Sequence, residues 1–184
     1  MSLPHPLIPR QPVPELELAV VGGGHWRLSD QKPDNFTLIV VYRGLHCPIC
    51  SGYLRDLNRK LPKFSSLGVD VIAVTNDPAD RAERTKTDWD LGDLAIGYGL
   101  DLDVARDWGL YISSGRGMTS AGVEETPYFV EPGLFLVRTD GTLYFASVQT
   151  MPFARPTFAE VLQALEFVLN NDYPGRGEVI DIAS

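Results

Sequence analysis

From Phe36 to Tyr42 apolar residues occupy both alternating faces of the chain, and many are β-branched. That pattern belongs to a strand buried on both sides within an open sheet, so a central strand is predicted here. After a short link the period changes: Tyr53, Leu54, Leu57 and Leu61 recur every three or four residues, which predicts an amphipathic helix. Pro48 suits the first turn of that helix, and Pro62 is expected to end or kink it. Val69 to Thr75 reads as the next strand, and Asn76-Asp77-Pro78 as the start of a helix reaching Asp88 or Leu91. Strands alternating with helices in this way call for parallel pairing and crossover connections.

The second half is more broken. Leu94 to Ile96 is expected to form a short strand, and Asp101 to Trp108 a short helix stopped by Gly109. Ile112 to Glu125, with Gly115, Gly117 and Gly122, reads as a long surface loop. Gly133–Val137 and Leu143–Val148 flank an Asp140-Gly141 turn, a strong hairpin signal. Thr157 to Asn170 presents Phe158, Val161, Leu162, Leu165, Val168 and Leu169 on one helical face. Near the start, Leu16–Val20 and His25–Leu28 flank Gly22-Gly23-Gly24 and predict a hairpin. Before it, Pro4, Pro6, Pro9, Pro12 and Pro14 remove backbone donors and predict an extended arm. The expected organisation is an arm at 1–14, one α/β domain at 15–171 and a tail at 172–184.

Length agrees with a single domain, since 184 residues suffice for one well-buried core and are few for two. With 24 acidic against 16 basic side chains the net charge is −8, which disfavours non-specific binding to nucleic acid. Arg55, Arg59, Lys60 and Lys63 are the nearest approach to a basic cluster, and their spacing is that of a solvated helix face. The first residues carry no basic patch followed by a long apolar run, and Leu38–Tyr42 is too short to span a bilayer. A cytoplasmic protein with no membrane role is expected.

The two cysteines, Cys47 and Cys50, are the whole complement and lie three positions apart. In a cytoplasmic protein that spacing points to redox or metal chemistry and away from a disulfide framework. Placed between a buried strand and a helix start, Cys47 meets free backbone N–H groups and the positive end of the helix dipole, which stabilise a thiolate. Cys47 is therefore the candidate attacking sulfur. Cys50, one turn further on, is the candidate resolving sulfur. Pro48 fixes the turn between them; Arg43 and His46 are placed to add positive potential, and His46 to tune pH dependence. A zinc site would need four ligands, and only His5, His25 and His46 are left to complete it. Haem attachment fails because Ser51 follows Cys50.

Trp26, Trp89 and Trp108 read as core residues. Asp101, Asp103 and Asp107 read as acids favoured at a helix start, since nothing completes a calcium loop.

Tyr42-Arg43-Gly44-Leu45-His46-Cys47-Pro48-Ile49-Cys50, followed by Leu54-Arg55-Asp56-Leu57, resembles the peroxiredoxin-like branch of the alkyl hydroperoxide reductase and thiol-specific antioxidant family, which carries Y-R-G-x-x-C-P-x-C after its central strand. Leu28-Ser29-Asp30, Pro132-Gly133-Leu134-Phe135 and the Asp140-Gly141 hairpin agree. The resemblance covers about 15–170. It implies a thioredoxin-like fold, a central mixed sheet flanked by helices and extended by the N-terminal hairpin. It also implies a redox-active dithiol that needs no cofactor, a hydroperoxide or protein disulfide as substrate, and a cellular thiol as reductant; a homodimer is compatible with it.

Two departures keep both substrates open. Typical members have P-x-x-x-T-x-x-C around the peroxidatic cysteine, whereas Val40 and Gly44 occupy the Pro and Thr positions here. The family also places an arginine where Pro132 stands. Pro132 instead parallels the cis-proline of thioredoxins, with Thr126-Pro127 a weaker candidate for that role. A redox-inactive binding module using the 112–125 loop is the alternative function, and a structural zinc site a further one.

Overall fold

The computed structural model describes residues 5–181. Its core is a seven-stranded mixed sheet in the order β2-β1-β5-β4-β3-β8-β9. β3 (Phe36–Val41) lies near the middle, parallel to β4 (Val69–Val74), which is parallel to β5 (Ala95–Tyr98). On the other side β3 pairs antiparallel with β8 (Gly133–Arg138), and β8 with β9 (Leu143–Val148) through the expected Asp-Gly turn. The N-terminal hairpin of β1 (Glu17–Val20) and β2 (His25–Arg27) extends the sheet beyond β5, antiparallel to it.

Every residue of β3 is buried because both sheet faces are covered. Leu38 and Val40 point into one core with α1 (Pro48–Ser66), α2 (Ala79–Asp88) and α4 (Phe158–Asn171). Ile39 and Val41 point into the other, with α3 (Leu102–Asp107), Trp108 and Phe135. Trp89 and Trp108 are core residues as expected, and Trp26 is partly buried against the second core. Asp101 caps α3, accepting from the Asp103 and Val104 N–H groups. A capping box between Thr157 and Glu160 starts α4.

Two expectations are corrected. Helix α1 runs on to Ser66 and does not end at Pro62. A proline inside a helix costs about 3 kcal/mol, but Leu57 and Phe64 are fully buried on either side of it and hold both halves against the sheet. The 112–125 stretch is not all loop: β6 (Ile112–Ser114) pairs antiparallel with β7 (Tyr128–Val130), making a second small sheet. The described part of the Pro-rich stretch lies along the β8–β9 hairpin. Arg10 N–H donates to Leu143 O at the start of β9 and Val13 N–H to Gly141 O in the β8–β9 turn, so the residues between the prolines still bond to this hairpin.

Candidate active site

The parallel strands β3 and β4 end together, and the chain leaving each one builds half of the site. From β3 come Tyr42 to Cys47; from β4 come Asn76 and Asp77. Asp77 is wholly buried. One carboxylate oxygen accepts the Leu45 N–H at 2.7 Å and the other the Arg81 Nε–H at 3.0 Å. Burial pushes the Asp77 carboxyl up, and these two donors oppose the rise. Gly44 has φ +132°, and a Cβ there would lie 2.6 Å from the Asp77 carboxylate. The glycine at the family's threonine position is thus matched to a carboxylate that fills the space a side chain would take.

Held in this way, the loop delivers Cys47 to the N-cap of α1, with Pro48 at the first helical position. The Cys50 N–H lies 3.3 Å from the Cys47 sulfur, which accepts it. Hydrogen bonding from the Cys50 thiol and then the Cys50 N–H, with the Arg43 and Arg155 charges behind them, outweighs burial and draws the Cys47 thiol down to about 7. Cys50 behaves in the opposite way: burial first, then the Cys47 sulfur, push its thiol well above the usual range. The pair is thus divided: Cys47 is the sulfur that ionises first, and Cys50 the one that keeps its proton. Both cysteines are reduced and buried, Cys47 at 2 % exposure and Cys50 at 0 %.

Arg43 lies over the Phe129 ring at 4.5 Å and forms ion pairs with Glu125 at 3.6 Å and Glu131 at 3.5 Å. It links the cysteine loop to the β6–β7 hairpin. Glu131 is buried, and its Oε1 accepts from the Ser113 hydroxyl at 2.6 Å. Asn76 adds a second link, donating to Tyr128 O and accepting from Val130 N–H.

His46 does not face solvent. It is fully buried against Phe129, ring centroids 4.6 Å apart, and neither ring nitrogen has a hydrogen-bond partner. Burial, followed by the Arg43 charge, lowers it to about 4, so the imidazole is neutral at physiological pH. Any pH dependence that His46 confers therefore falls in the acid range. No peptide bond among the described residues is cis, so Glu131-Pro132 and Thr126-Pro127 are both trans. Pro132 sits just before Gly133, which pairs with Val41, and its carbonyl accepts the Gln149 N–H. That places Pro132 at the site end of the sheet as a strand anchor.

Arg155, from the link between β9 and α4, was not legible in the sequence. Its guanidinium stacks over Tyr53 at 4.0 Å and its Nε–H donates to Pro152 O at 3.1 Å. No motif or periodicity marks it. Asp77 left a trace only as part of a turn signal. Among the described residues no group of three or more His, Cys, Asp or Glu is arranged to hold a metal ion. No helix among them is long and apolar enough to cross a membrane.

Fold and site together define a thioredoxin-like scaffold that presents a cysteine of lowered pKa at a helix N-terminus. Residues 9–146 match the AhpC/TSA family, and the chain belongs to that family. It is a thiol-dependent peroxidase or oxidoreductase. No curated protein sequence matches the chain. Among solved structures it is similar to the peroxidoxin BcpB from Mycobacterium tuberculosis, with 18% identity, TM-score 0.69, and 89% of this chain and 99% of that chain covered. A cysteine-to-serine mutant of peroxiredoxin 6 from Arenicola marina gives 15% identity and TM-score 0.72 over 89% and 74% of the two chains. A peroxiredoxin-like protein from Aquifex aeolicus gives 16% and 0.70 over 91% of each. At these identities the structures support the fold.

Proposed function

We propose that the chain reduces hydroperoxides, with Cys47 as the attacking thiolate and Cys50 as the resolving thiol, and that a cellular thiol reductant regenerates the pair. The observation that carries this choice is the burial of Cys47. A protein disulfide must approach the attacking sulfur in line with its own bulky chain attached, and 2 % exposure leaves little room for that. A hydroperoxide brings only two oxygens to the sulfur.

In the first step the Cys47 thiolate attacks the terminal oxygen of ROOH. The O–O bond breaks, Cys47 becomes a sulfenic acid, and the departing alkoxide takes up a proton as ROH. Cys50 then attacks the oxidised sulfur, the S–O bond breaks, water leaves and an internal disulfide remains. Two electrons pass from the dithiol to the peroxide, and two thiols of the reductant return them.

The test is turnover of hydrogen peroxide, an organic hydroperoxide and a model disulfide by the wild type and Cys47→Ser. Alkylation of Cys47 should show a midpoint near pH 7. Cys47→Ser should lose all activity, and both peroxides should be consumed faster than the disulfide. Retained turnover in that variant, or faster reduction of the disulfide, would overturn the proposal.

A further inference from the structure

Resolution by Cys50 presents a physical difficulty. The sulfur is fully buried, and burial holds its thiol well above the usual range. Once Cys47 is oxidised its negative charge is gone, so its repulsion of a Cys50 thiolate disappears while the burial remains. A cation facing Cys50 would offset that burial.

We propose that Arg155 supplies this charge and thereby sets the rate at which Cys50 resolves the oxidised Cys47. The inference rests on the dithiol reading above. Its geometry is independent of that reading. Tyr53 lies three residues after Cys50 on α1, so the two side chains share one helix face. The Arg155 guanidinium stacks on the Tyr53 ring, its Nε–H is tied to Pro152 O, and the Tyr53 hydroxyl donates to Pro156 O at 2.7 Å. The cation is thus fixed from two directions against Tyr53, one turn along α1 from Cys50.

Its remaining donors are idle. Nη1 and Nη2 are buried and have no hydrogen-bond partner, and Arg155 forms no ion pair among the described residues. Buried, unpaired guanidinium nitrogens are costly unless an acceptor arrives in the working cycle. The reaction supplies two: the Cys50 thiolate and the oxygen leaving Cys47. The Arg155 charge favours the thiolate at both cysteines, whereas Arg43 reaches Cys50 through its backbone alone. The other titratable groups that interact with Cys50 are Cys47 and the phenols of Tyr42 and Tyr53; both phenols are driven up by burial and remain neutral.

In the step itself Cys50 gives up its proton and the thiolate attacks the Cys47 sulfur. The S–S bond forms, the S–O bond breaks, and the departing hydroxide takes a proton to leave as water. The sum is sulfenic acid plus thiol to disulfide plus water.

The test is rapid-mixing kinetics of the reduced full chain with hydrogen peroxide, comparing wild type, Arg155→Met and Arg155→Lys. The pH is set one unit above the Cys47 value of about 7, where Cys47 is already a thiolate. Mass analysis with a sulfenic-acid trap separates the first phase, linear in peroxide, from the peroxide-independent resolution phase. Arg155→Met should slow resolution about tenfold, the equivalent of one pH unit at Cys50, and accumulate trapped sulfenic acid. Its first phase should stay within about threefold of wild type, and Arg155→Lys should recover most of the resolution rate. Unchanged resolution in Arg155→Met, or equal slowing of both phases, overturns the inference. A wild type that forms no sulfenic acid at Cys47 overturns the dithiol reading instead, so the two failures are distinguishable.

Discussion

Two arginines flank the dithiol, and they are held in opposite ways. Arg43 meets Glu125 and Glu131 and lies over Phe129. Arg155 meets an aromatic ring and one carbonyl and has no carboxylate partner. A cation paired with two acids has part of its field cancelled, though Arg43 still acts on Cys47 ahead of Arg155; one without an acid projects its whole charge, and at Cys50 it is Arg155 whose charge favours the thiolate. Arg43 is thus a clasp between the cysteine loop and the β6–β7 hairpin as well as a charge on Cys47. Arg155 is mainly a source of potential. Sequence position points the other way, since Arg43 is part of the motif and Arg155 lies far outside it.

The engaged side should be the more fragile. Gly44→Thr would restore the family's residue and should be the most damaging change, because the side chain enters the Asp77 carboxylate at a strained φ. Backbone strain and overpacking together predict a loss of about 4 kcal/mol in chemical denaturation. Arg43→Met should cost about 3 kcal/mol, since it leaves the buried Glu131 without a cation. Arg155→Met leaves no acid behind and should cost about 1 kcal/mol, the worth of its ring contact. Equal losses from the two arginine variants would erase the distinction drawn between them.

What was legible in the sequence follows the same division. Periodicity reports repeated local choices, so β3, β4, the β8–β9 hairpin and α4 could all be read from it. The cysteines stood out because chemistry restricts their spacing. Asp77 and Arg155 act through single long-range contacts, with Leu45 and with Tyr53, and such contacts leave no local pattern. Pro62 misled because helix propensity is local, while the burial of Leu57 and Phe64 that overrides it is tertiary. The 112–125 stretch misled for a related reason: its glycines mark loops, but Ser113 and Asn76 anchor the hairpin through Glu131 and β7.

His46 sharpens the comparison at a smaller scale, since it is a ring beside Arg43 that burial keeps uncharged. Its folded value of about 4 lies below the ordinary 6.5, so the folded state binds fewer protons between those limits. Stability from this group is therefore complete above pH 6.5 and is lost as pH falls toward 4. His46→Leu keeps the contact with Phe129 and removes the titration. The drop in stability between neutral and acid pH should shrink by about 2 kcal/mol in that variant, measured by denaturation across the range. An unchanged drop would mean that other groups carry the acid sensitivity.

The smallest effect is expected at Glu131, and its sign tests the clasp directly. Glu131→Gln keeps an acceptor for the Ser113 hydroxyl and removes the carboxylate that neutralises Arg43. More of the Arg43 charge then reaches Cys47, and a nearby negative charge is gone; both changes favour the thiolate. The alkylation midpoint of Cys47 should fall below its value of about 7, by about half a pH unit given the partial solvent screening of Arg43. Burial pushes the Glu131 carboxyl up, with the Ser113 hydroxyl and then Arg43 opposing the rise. A midpoint that does not move would show that Glu131 already carries its proton at neutral pH. Arg43 would then be less neutralised than its contacts imply, and the difference between the two arginines would narrow to that extent.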